Sequence, residues 1–192
     1  MKLPKQKNSI PEIKTFGCRL NIWESQVISD HTSNYGHSDL IIFNTCAVTS
    51  EAERQARQAI RSEKKKRPNA KILVTGCAAQ IDPNKWNSMP EVNFVVGNRE
   101  KLEATFWKNF DSDGSITDKS NMFVDNIMET KKTNNHIINT FDRHTRGFVQ
   151  VQNGCDHRCT FCVIPFGRGP GRSVSTQEVI NSINSLLKNN VK

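Results

Sequence analysis

At 192 residues the chain can build one good α/β core and a second small one, but not a large barrel ringed by helices. With 35% hydrophobic and 24% charged residues and only short apolar runs, its composition points neither to disorder nor to a membrane protein. The formal charge of +8, from 27 Lys and Arg against 19 Asp and Glu, favours a polyanionic partner such as nucleic acid; the bland alternative is a solvated cationic surface.

Residues 1–10 are basic, with no apolar stretch behind them. They read as neither a secretory signal nor a membrane anchor, so no membrane association and a cytoplasmic protein are expected. Short apolar runs then alternate with amphipathic segments, the pattern of β-α-β units around a parallel sheet. Strands are expected at 13–16, 40–43, 72–74 and 94–96, and helices at 22–35, 50–67, 83–89 and 100–110. From 111 to about 146 the texture turns to Ser, Thr, Asn, Asp and Lys, which reads as a linker with one added strand or hairpin. A strand at 148–151, a cysteine-rich loop and a capped helix at 176–188 complete the expected elements.

Six cysteines in a reducing compartment suggest metal binding or catalysis before disulfides. Cys18, Cys46 and Cys77 each follow an expected strand directly. In an open parallel sheet the carboxyl ends of all strands lie along one edge, where ligands bind, so the three are expected to converge on one metal or cluster. Buried structural thiols are the alternative, and for any single one of them the better reading.

The loop from Cys155 through Cys159 to Cys162 has C-x3-C-x2-C spacing. Three thiolates on a compact loop suit a cubane iron–sulfur cluster whose fourth iron lacks a protein ligand. Zinc would want a closed set of four, with His157 as the available fourth ligand, and an ordinary ferredoxin would supply a further cysteine near the motif. None follows Cys162.

This motif, with Phe161 before its last cysteine, resembles the signature of radical S-adenosylmethionine enzymes. Thr15 to Asn21 with Glu24-Ser25, Asn44 to Thr49, and Val74 to Gln80 resemble, in order, the amino-terminal domain of the methylthiotransferases. Gly17 to Asn21, Ala56 to Arg61 and Gln150 to Cys155 are most similar to the branch that modifies N6-threonylcarbamoyladenosine beside the tRNA anticodon. Sister branches act on isopentenyladenosine in tRNA and on an aspartate of a ribosomal protein.

The resemblance implies two 4Fe-4S clusters, one on Cys18, Cys46 and Cys77 and one on Cys155, Cys159 and Cys162. It also implies S-adenosylmethionine on the open iron, with Phe161 against its adenine side. A 5′-deoxyadenosyl radical would take hydrogen from adenine C2, sulfur would arrive from the second cluster, and methylation would give the 2-methylthio base. Reductant and sulfur-donor proteins are the further partners implied.

The implied fold is α/β: a parallel-sheet methylthiotransferase domain at 1–110, a linker at 111–140, and the first βα unit of a radical S-adenosylmethionine partial barrel at 141–192. Against that family the chain is expected to be truncated or a fragment. One strand and one helix cannot enclose S-adenosylmethionine, so the fragment is expected to lack most of the catalytic barrel and the small RNA-gripping domain.

For tRNA the expected contacts are Arg54, Arg57, Arg61, Lys64 and Lys65 on one basic helix, with Lys66 and Arg67 at its end. A solvated helix with no partner is the alternative. Arg168 and Arg172 form a second candidate surface, with a flexible turn or a contact to a cofactor or substrate carboxylate as the other readings.

Overall fold

The computed structural model describes residues 10–33, 39–110, 120–133, 136–141 and 146–191. Residues 1–9 of the basic amino end, the expected close of the first helix beyond 33, and 111–119, 134–135 and 142–145 of the expected linker lie outside the described residues.

Five parallel strands lie side by side in chain order: β1 (Glu12–Thr15), β2 (Leu40–Thr45), β3 (Lys71–Gly76), β4 (Phe94–Val96) and β5 (Met122–Phe123). Alternation along the strands sorts side chains onto two faces. Ile41, Phe43, Ile72, Val74 and Val95 pack on one face against Ala56 and Ile60 of α2 (Ser50–Lys66) and Ala78 and Ala79 of α3 (Cys77–Ile81). Trp86 of α4 (Pro83–Asn87) joins the same layer. Leu40, Ile42, Leu73, Phe94 and Val96 pack on the other face, against Ile28 of α1 (Arg19–Thr32) and Trp107 of α5 (Ala104–Asn109).

The β1-to-β2 and β2-to-β3 connections step the same way across the sheet, yet α1 and α2 cover opposite faces. The two crossovers therefore have opposite hands, against the strong general preference for the right-handed form. The helices that follow β1 and β2 thus pack on opposite faces of the sheet.

The expected helix at 100–110 is split. A 3-10 turn at Glu100–Leu102 precedes α5, with Glu103 extended between them and the indole N–H of Trp107 donating to the Lys101 carbonyl at 2.8 Å. The added strand expected in the linker is present as β5. In the same stretch Ile127, Ile138 and Phe141 are buried.

The expected strand at 148–151 is not one. Phe148 and Val149 are apolar because they pack against a third cluster, formed by Trp23, Val27, Leu102, Ile138, Phe141 and Leu186. Strand pairing starts later, with β6 (Gln152–Asn153) antiparallel to β7 (Arg172–Ser173). Between these strands lie the cysteine loop and α6 (Ile164–Arg168). The last helix, α7 (Thr176–Lys188), opens on a capping box of Ser175 and Glu178, and its Leu186 belongs to the third cluster.

Candidate functional site

Parallel pairing brings the first three cysteines to one edge. Thr15 is opposite Asn44 and Thr45 opposite Gly76, so Cys18, Cys46 and Cys77 leave three adjacent strands at the same level. The backbone between them is tight. Gly17, at φ +100°, has no room for a side chain: a Cβ there would lie 2.6 Å from the Cys46 Sγ. Cys46 and Cys77 are buried and Cys18 is exposed. Burial pushes the Cys77 thiol up from its ordinary range, a cost that binding to a metal centre would offset by fixing the thiolate.

Around the thiols lies a polar network under the sheet edge. Glu24 and Lys101 are both 0% exposed, and the Lys101 ammonium donates to Glu24 Oε2 at 2.7 Å and to Asn44 Oδ1 at 3.1 Å. The Arg168 guanidinium donates to Glu24 Oε1 at 2.6 Å. Burial alone would raise the Glu24 carboxyl, but Arg168 and Lys101 outweigh it and hold Glu24 at about 2. Burial pulls Lys101 below the usual lysine range despite Glu24.

Sequence reasoning assigned no role to Lys101 and took Glu24 only as part of the family pattern. A usable signal was present: Asn44 interrupts the apolar β2, and Asn21 and Glu24 share one face of α1 just after Cys18.

The second thiol loop sits beside this edge because α6 packs against α3. Its cysteines are accessible: Cys159 is exposed and Cys155 and Cys162 half-buried. The Cys162 N–H donates to the Cys159 carbonyl at 3.0 Å, and Asp156 Oδ1 accepts from the Gly171 N–H at 2.8 Å. Phe161 is 87% exposed, and the Arg158 guanidinium lies 5.5 Å from the Phe166 ring centroid.

Arg168 and Arg172 are not on a surface. They are 4% and 9% exposed, and Arg172 donates to the Thr130 and Arg168 carbonyls. The reading of them as a displayed RNA contact is corrected: glycine-rich sequence around an arginine signalled a tight buried turn, with Gly154 and Gly169 both at positive φ.

On α2, Arg54 pairs with Glu51, Arg57 with Glu53 and Arg61 with Glu91, while Arg67 bonds Glu12 and Glu63. Lys64 donates to the Ala70 carbonyl, and Lys65 is exposed. The helix projects a weaker positive field than its count of cations suggests.

Among the described residues no three His, Cys, Asp or Glu side chains stand close enough to share a single metal ion. A cubane spreads its iron corners further apart than one ion does, and an all-thiol donor set at a glycine-cleared edge has the chemistry for such a group.

Residues 11–97 match the profile of a family described as "Uncharacterized protein family UPF0004". A Rickettsia prowazekii protein named threonylcarbamoyladenosine tRNA methylthiotransferase MtaB is 47% identical over 182 residues, covering 95% of this chain and 41% of its own length. The chain is thus similar to methylthiotransferases over nearly its whole length. An Aquifex aeolicus protein of the same name is 32% identical across 93% of this chain and 45% of its own length. A Desulfotalea psychrophila protein named tRNA-2-methylthio-N(6)-dimethylallyladenosine synthase is 30% identical across 94% and 43%. The chain thus spans less than half the length of these methylthiotransferases. Among its described residues no helix is long and apolar enough to cross a membrane.

Proposed function

We propose that this chain carries the two cluster sites of an enzyme that methylthiolates N6-threonylcarbamoyladenosine in tRNA. The observation that carries the proposal is the placement of two thiol sets, Cys18, Cys46 and Cys77 at three adjacent strand ends and Cys155, Cys159 and Cys162 on the loop whose following helix, α6, packs against α3. Identity to the proteins named for threonylcarbamoyladenosine, 47% in Rickettsia against 30% for the dimethylallyladenosine synthase, supports that substrate over its sister. Residues 1–110 would form the first cluster domain, 111–140 a linker, and 141–192 the start of a radical S-adenosylmethionine domain.

When bound, two 4Fe-4S clusters with S-adenosylmethionine would supply radical formation at adenine C2 and a sulfur source, fed by reductant and sulfur-donor proteins. The chain's own part is positional. Cys46 and Cys77 hold their thiols out of water, Gly17 and Gly76 clear space at the edge, and exposed Phe161 is available to a planar ligand. No side-chain acid or base is required. For the RNA, Arg54, Arg57, Arg61, Lys64 and Lys65 are the candidate phosphate contacts.

Anaerobic loading with iron and sulfide tests this reading. The intact chain is expected to hold about eight irons and eight sulfides, four for each cluster. Replacing Cys159 by Ala, or Cys46 by Ala, is expected to remove about half. Zinc bound without acid-labile sulfide would replace the enzyme reading with a zinc-stabilised RNA-binding module.

A further inference from the structure

One buried guanidinium bonds residues close in sequence to both thiol sets. From the end of α6, Arg168 Nη1 donates to Glu24 Oε1 and, at 3.3 Å, to Asn153 Oδ1, while Nη2 donates to Asn21 Oδ1 at 2.5 Å. Two of these partners, Asn21 and Asn153, lie beside cysteines. Asn21 Oδ1 faces the Cys18 Sγ at 3.8 Å, and Asn21 Nδ2 donates at 3.1 Å to the carbonyl of Thr45, the residue before Cys46. Asn153 Oδ1 also accepts from the Gly154 N–H at 2.9 Å, immediately before Cys155.

The residues on either side of Arg168 extend the pattern. A Cβ at Gly167 would lie 3.1 Å from the Cys77 Cβ, and the Gly169 carbonyl accepts from the Cys155 N–H at 3.1 Å. Asn98 Nδ2 donates to the Gly167 carbonyl and stands 3.8 Å from the Cys77 Sγ. Residues 167–169 therefore index Cys18, Cys46, Cys77 and Cys155 against one another.

We infer that Arg168 is a positioning residue that fixes the separation of the two thiol sets, clamped by Glu24 and Asn21 on α1 and by Asn153 at the end of β6, where the cysteine loop begins. The inference rests on the two-site reading above. Arginine suits the task because its rigid planar fork holds donors on separate nitrogens at a fixed spacing, whereas the donors of lysine all leave one nitrogen on a flexible stem. Burying such a charge adds little net stability compared with a well-packed apolar residue, so its value lies in geometry.

Two measurements on the full chain decide it. In metal-free protein, hydrogen exchange in Arg168→Met is expected to show protection at 153–155 and 167–172 falling by on the order of a hundredfold, with β2 and β3 unchanged. Arg168→Lys is expected to restore only part of it. Asn153→Ala, which removes only the loop side of the clamp, is expected to loosen 153–155 alone, and keeps the test open if Arg168→Met does not fold.

After iron and sulfide loading and reduction, the dipolar splitting between the two centres in the electron paramagnetic resonance spectrum is expected to change in Arg168→Met at unchanged iron per chain. Native protection in both variants, or a native splitting in Arg168→Met, would overturn the inference. A chain that takes up no sulfide would sink the cluster reading, while the exchange experiment would still judge the clamp.

Discussion

Glu24 carries its charge with no exposure to solvent, and its stabilising effect has a definite pH window. Its carboxyl is held near 2 in the folded chain against an ordinary 4.5, so the contribution is complete above about 4.5 and disappears as pH falls toward 2. Urea denaturation midpoints between pH 6 and pH 2.5 are expected to fall more steeply in the native chain than in Glu24→Gln. Glu100 behaves in the opposite sense. Burial pushes its carboxyl up to about 7, so folding loses stability as pH rises from 4.5 through 7. Glu100→Gln is therefore expected to melt higher than the native chain at pH 8 and no higher at pH 4. Neither residue was legible as a buried charge, because Glu, Lys and Arg in helical segments ordinarily face water. The cysteines were legible, because a thiol just past a strand has its place dictated by the sheet.

The elements read from sequence divide by their source of order. Strands such as Leu40–Thr45 and Phe94–Val96 are short apolar runs buried on both faces, and α7 is announced by Ser175 three residues before Glu178. By contrast α3 and α6 are five residues each and too short for periodicity to mark them. They form because a glycine turn and tertiary packing hold them. Gly76 is such a turn, at φ +99°, with the space for a Cβ only 2.2 Å from the Thr45 carbonyl oxygen. Gly76→Ala is expected to cost several kcal/mol, read as a large drop in melting temperature. Ser175→Ala removes a cap, and about 1 kcal/mol is expected from α7 alone. Circular dichroism melts of the two variants should differ accordingly.

At the scale of the whole molecule, the third cluster fastens the carboxyl-terminal segment to α1 through few apolar side chains. Leu186→Ala is expected to cost about 2–5 kcal/mol and to loosen 146–191 before the sheet, seen as segmental loss of exchange protection. What the sequence left hidden here was which surface receives that segment, since Trp23 and Val27 look like ordinary core positions of α1. The crossover hands were equally invisible, because periodicity identifies a buried face without saying on which side of the sheet it lies.

Glu24 and Arg168 are 144 positions apart in the chain. During synthesis the sheet, with Glu24 facing Lys101, can be assembled well before the arginine is added. The later thiol loop then docks onto a finished template, and errors in building the first body are passed on to the placement of the second.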